Sequence, residues 1–199
     1  PILARQIKGM KNTDPGTVAQ KALPVSVYRE IHRQSKLHND ASAQMLASTV
    51  ADLLTIAFFW CMRSCEYSCV TGPRRTKLLC FRNIRLFDKN NKSIQHNADN
   101  IDQATSVSIT FEFQKKDIRD DTISHQRSGD KTDGGRMCPV KACISLIRRA
   151  RQFPIKPEQL PDTPINTIFT NSRPSQITSA ILLSTIRRAV QDMGKDRLG

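Results

Sequence analysis

Arg63 and Glu66 stand three residues apart just beyond an apolar run, Leu53, Leu54, Ile56, Ala57, Phe58, Phe59 and Trp60. A guanidinium keeps its charge wherever it sits, so at the mouth of a buried segment it needs an anionic partner. Glu66 can hold one edge of the fork and leave the other free. A planar fork aimed out of a core suits a phosphate, because it offers two parallel N–H donors. An ordinary helix-end arginine beside a local carboxylate has the same spacing. A lysine pair, Lys115 and Lys116, follows Gln114 where an alternating segment meets a turn.

Other chemistries have less to build on. The six cysteines include no Cys-x-x-Cys, and no histidine stands at ligand spacing from them, which argues against a metal site and for free thiols in a reducing compartment. Gly129 and Gly134 have phosphate-loop spacing, but Gly135-Arg136 follows where that motif needs Lys and then Ser or Thr. No cofactor is expected. No apolar run reads as long enough for a membrane span, and the N-terminus shows no signal-peptide pattern, so no membrane partner is expected.

Charge gives the strongest bulk signal. Of 199 residues, 31 are Lys or Arg and 18 are Asp or Glu, a formal +13 that favours a polyanion. The basic residues cluster. Residues 63–92 carry Arg63, Arg74, Arg75, Lys77, Arg82, Arg85, Lys89 and Lys92 against Glu66 and Asp88, and residues 141–156 carry five cations and no acid. Arg74, Arg75, Lys77, Arg82 and Lys116 are the candidate DNA contacts. An RNA-binding module is the less favoured reading, because aromatic content is only 6% and no strand is rich in stacking residues.

The elements that must position these groups follow from periodicity. Residues 1–24 read as a basic arm or linker. Ser26 is expected to cap a short helix through about Gln34, with Tyr28 on its core face. Leu46, Val50, Leu53, Leu54, Ala57, Phe58 and Cys61 recur at the helical period and predict a long helix ending near Met62 or Arg63. Leu78 to Phe87 reads as β, residues 95–105 as a polar loop, Val107 to Phe113 as an alternating strand, and Thr122 to Gln126 as its antiparallel return. The sum is a small sheet of three strands with the lysine pair at a turn. Pro139 opens a helix with Val140, Cys143, Ile144 and Ile147 on one face. Four prolines from Pro154 to Pro164 mark an irregular connector, Ile168-Phe169 a possible strand, and Thr178 caps a last helix that stops at Gly194.

This order resembles the catalytic domain of the tyrosine recombinase (phage integrase) family, with a particular likeness to the eukaryotic transposon-borne Crypton type. The residues that carry the resemblance are Arg63-Ser64-Cys65-Glu66 after an apolar helix, Gln114-Lys115 at a hairpin, and Cys138-Pro139-Val140 at a helix start. It covers the chain from about residue 23 and implies an α+β, mostly helical domain over residues 25–199. It implies DNA strand breakage and rejoining through a 3′-phosphotyrosine, without metal. Arg63 would be the first of two phosphate-binding arginines, Glu66 its support, and Lys115, with Lys116 as rival, the general acid for the leaving 5′ oxygen. Double-stranded DNA is the implied partner, with self-association on DNA in the intact protein, in the nucleus if eukaryotic and otherwise in the cytoplasm.

The family's His-x-x-Arg motif and nucleophilic tyrosine have no counterpart in these 199 residues. His32, His38, His96 and His125 are followed three positions later by Ser, Ala, Asp and Ser, and the two tyrosines are Tyr28 and Tyr67. The segment alone is expected not to cleave DNA. It reads either as part of such an enzyme, cut before the nucleophile half, or as a non-catalytic DNA-binding remnant of one.

Overall fold

The computed structural model describes residues 23–70, 76–113, 120–129, 137–170 and 173–194. The arm assigned to residues 1–24 lies almost wholly outside them. The architecture is α+β with antiparallel sheets. Helix α1 spans Val25–Gln34, α2 Ala41–Phe59, the single turn α3 Ser64–Tyr67, α4 Pro139–Ala150 and α5 Ser179–Asp192. Strands β1 (Ile84–Phe87), β2 (Ser93–Ile94), β3 (Ser106–Phe111) and β4 (Asp121–Gln126) form one sheet in the order β2-β1-β3-β4. Strands β5 (Thr167–Thr170) and β6 (Arg173–Gln176) form a separate hairpin.

The main sheet therefore has four strands, not three. The fourth is the two-residue β2, whose Leu86↔Ile94 and Phe87↔Ser93 register is too short to announce itself by alternation. The expected strand from Leu78 begins only at Ile84, because Phe81–Asn83 close a 3-10 turn in which the Asn83 side chain accepts from the Cys80 N–H. Residues 99–103 form another 3-10 turn inside the expected loop.

The helices follow the predicted stripes, with corrections at their ends. Pro24, not Ser26, precedes α1 and caps it without a side-chain hydrogen bond. Tyr28 is half-buried against Phe58, with ring centroids 5.0 Å apart, and is not fully in the core. Asp40 caps α2 by accepting from the Ala43 N–H at 2.6 Å. Helix α2 stops at Phe59, earlier than the periodicity predicts, because Cys61 takes a left-handed conformation with φ of 50°. Thr178 caps α5 as expected, and Gly194 ends it at φ of 63°.

Helix α2 does reach the length and apolarity of a membrane span, contrary to the sequence reading. In the fold, its run from Thr49 to Ala57 is buried against α4, α1 and the rest of the core. Leu53 and Ile56 of α2, Val140, Ile144 and Ile147 of α4, and the inward Ile84, Leu86, Val107 and Ile109 of the sheet make one cluster. One pair in it is ionic: Arg149 of α4 bonds Asp52 of α2. Burial pushes the Asp52 carboxyl up to about 6 against the pull of Arg149.

Candidate phosphate-binding site

Three devices fix the exit of α2. The Met62 N–H bonds back to the Ala57 carbonyl at 2.9 Å, which closes the left-handed turn. The Trp60 indole N–H donates to the Ile123 carbonyl of β4 at 3.0 Å, and the ring meets the His125 ring edge-on at 4.5 Å. Arg63 then becomes the N-cap of α3. The segment after it is anchored on both sides: Leu79 N–H donates to the Glu66 carbonyl at 2.9 Å, and Cys69 exchanges backbone bonds with Ile177 and Ser179 at 3.0 Å.

Glu66 is the organising group. Its side chain is only 5% exposed. One carboxylate oxygen accepts from the Arg63 N–H at 2.8 Å, and the other stands 3.6 Å from an Arg63 terminal nitrogen. The Arg63 side chain remains 55% exposed. The backbone of Arg63 is thus pinned by the carboxylate that also draws one edge of its guanidinium, while most of the fork faces out. The outward edge of the fork has N–H donors open to an anion, and an ordinary i,i+3 surface pair has the same geometry.

The other predicted residues divide. Lys115, Lys116, Arg74 and Arg75 lie outside the described residues. Lys77 and Arg82 are described and both are engaged by one acid: Glu112 accepts from Lys77 at 3.0 Å, Arg82 at 2.8 Å and the Asn83 amide at 3.0 Å, and Arg82 also pairs with Asp162. Hydrogen bonds from Arg82, Asn83 and Lys77 hold the Glu112 carboxyl down at about 2. A depressed carboxyl stabilises the fold fully above its unfolded value of 4.5 and loses that contribution as the pH falls through about 2. Glu112→Gln should therefore lower stability by about 1 kcal/mol at neutral pH, as fits an exposed network. The gap should close in acid, as urea melts at pH 7 and near pH 2 would report.

The acid-free block at 141–156 looked like a nucleic-acid face, yet three of its arginines serve the fold. Arg148 pairs with Asp102, Arg149 with Asp52, and Arg151 donates to the carbonyls of His96 and Ala98. Their partners come from more than 40 residues away, which a local charge count does not register. Tyr67 is buried, and burial holds its phenol up at about 12, so it is poorly placed to act as a nucleophile. Among the described residues, no group of three His, Cys, Asp or Glu side chains is arranged to hold a metal ion.

No protein-family model matches the chain, and neither a curated protein nor a solved structure matches it.

Proposed function

We propose that this chain grips the DNA backbone as the front part of a tyrosine-recombinase-like strand-exchange domain, with Arg63 as a phosphate ligand. The observation that carries the reading is the Arg63–Glu66 unit: a buried carboxylate that pins the Arg63 backbone N–H and stands 3.6 Å from its exposed guanidinium at the exit of a core helix. The net charge of +13 supports a polyanionic partner. In this reading Arg63 meets the charge on two non-bridging phosphate oxygens, and Glu66 keeps the fork from turning away. Lys115 or Lys116 protonates the leaving 5′ oxygen, and the attacking tyrosine is supplied from outside these residues. A non-catalytic remnant that retains only the grip is the second reading, and the same Arg63–Glu66 unit serves it equally.

Arg63→Ala should weaken binding to a short duplex about tenfold, the effect of one charge-assisted contact. Arg63→Lys should recover only part of it, since a point charge cannot bridge two oxygens. Fluorescence anisotropy across a salt series reads both, and wild-type affinity should fall steeply with salt. Unchanged binding by Arg63→Ala, or affinity indifferent to salt, would sink the proposal. A suicide substrate offered to the full gene product separates the two readings: a covalent protein–DNA adduct that disappears with Arg63→Ala marks the enzyme.

A further inference from the structure

We propose that the outward face of the four-stranded sheet is a second phosphate-binding surface, one that lies along a sugar–phosphate strand of duplex DNA. The inference rests on the nucleic-acid reading above for the identity of its occupant, but its residues are different. Strand alternation sends Ile84, Leu86, Val107 and Ile109 into the core and turns Arg85, Ser106, Ser108 and Thr110 outward. The register places Arg85 opposite Ser108 and Ser108 opposite Ser124, so one guanidinium and two hydroxyls form a row across β1, β3 and β4. Ser108, buried, forms the floor, and Arg85 and Ser124 are exposed at its sides.

These groups open into a hollow of about 520 Å³, and among the described residues no carboxylate lines it. Thr110 and Thr122 satisfy each other at 2.8 Å. Among the described residues, Arg85, Ser108 and Ser124 make no side-chain hydrogen bond or ion pair. That separates Arg85 from Lys77, Arg82, Arg148 and Arg149, each engaged by an acid of the fold. A free guanidinium flanked by hydroxyl donors is the donor set that contacts phosphate oxygens. Strands lie about 4.8 Å apart, so donors on three neighbouring strands address an extended backbone and not a single point. Among the described residues that line the hollow, Phe87 is the one Phe, Tyr or Trp. A single-strand platform stacks successive bases on several aromatics, so the occupant assigned is the backbone of a duplex, whose bases remain paired.

The test compares Arg85→Ala, Ser124→Glu and Arg63→Ala in the same chain, each binding a short duplex across a salt series, with circular dichroism melts to confirm folding. Both sheet positions are exposed, so melts like wild type are expected. Arg85→Ala should weaken binding about tenfold and reduce the salt slope by about one. Ser124→Glu, which places a carboxylate against the phosphates, should weaken it at least as much. Wild-type binding by both sheet variants, with Arg63→Ala impaired, overturns the sheet surface and leaves the Arg63 reading standing. Impaired sheet variants with an unaffected Arg63→Ala do the reverse. A single-stranded oligonucleotide that binds more tightly than the duplex, with the same sensitivity to Arg85→Ala, overturns the duplex assignment.

Discussion

Asp52→Leu is expected to cost about 3–5 kcal/mol near pH 5 and somewhat less at alkaline pH, whereas Arg149→Met should cost much less in acid than in base. Both substitutions break the same ion pair between α2 and α4. The difference lies in which charge is stranded. Arg149 without Asp52 cannot neutralise itself, because a guanidinium does not lose its proton in this range. Its Nε is already buried without a hydrogen-bond partner, so nothing nearby replaces the lost acceptor. Asp52 without Arg149 can take a proton and become a neutral buried acid. Its folded value already stands at about 6 against 3.8 for a free carboxyl, with burial as the largest cause. An acid raised on folding binds its proton more tightly in the native state. Wild-type stability should therefore decline as the pH rises from about 4 to about 6, by on the order of 3 kcal/mol. Removing Arg149 should extend that decline to higher pH, because Arg149 lowers only the folded value. Urea melts at pH 5 and pH 8 check the contrast. A chain of this size loses about 2–4 °C per kcal/mol, so Asp52→Leu should lower the melting temperature by about 10 °C. Identical pH profiles for the two variants would refute the account. The double variant Asp52→Leu with Arg149→Met should recover most of the loss, since an apolar pair replaces an ionic one in an apolar site.

Trp60→Ala carries the second large effect, about 3–5 kcal/mol. The indole is 5% exposed and makes two kinds of contact that disappear together. One is apolar area packed at the end of α2 and against the His125 ring, whose Nε2 is buried with no hydrogen-bond partner. The other is the donor to the Ile123 carbonyl. Trp60→Phe keeps much of the ring and deletes the donor, and should cost about 1–2 kcal/mol. Denaturation followed by circular dichroism suits both variants, since Trp60 is the sole tryptophan and its fluorescence is lost. Arg63 lies three residues beyond this anchor, so Trp60→Phe should also loosen duplex binding more than its small stability loss explains. A Trp60→Ala protein as stable as wild type would show that the link between α2 and β4 is dispensable.

The parts of the fold legible in the sequence are those where one face of a regular element is apolar. Val140, Cys143, Ile144 and Ile147 mark α4, and Val107, Ile109 and Phe111 mark β3, because burial repeats with the period of the backbone. Ends were harder to read. The stop of α2 depends on a non-glycine residue, Cys61, entering the left-handed region, and nothing in its neighbours announces that. Charges were hardest. Arg63 and Glu66 are close in sequence and were legible as a pair, while Lys77 and Arg82 find Glu112 across about 30 residues. A count of local acids leaves such cations looking free. The alternation of Ser108, Thr110 and Glu112 was visible, but the row that Ser108 makes with Arg85 and Ser124 exists only once the strands are in register.

The short β5–β6 hairpin has a consequence for how copies of this chain meet. A bare strand edge invites a neighbour's strand, the first step towards fibrous aggregation. Strand β6 is exposed along its whole length, yet it has only four residues, and Pro174 removes one of its donors. The main sheet is guarded as well: β2 offers only two residues at one edge, and the Trp60 indole occupies the Ile123 carbonyl on the other. Main-chain zippering is thereby discouraged at three edges, so the described part of the molecule should stay dispersed at high concentration. Any pairing of copies on a shared ligand would then be directed by side-chain chemistry and would remain reversible.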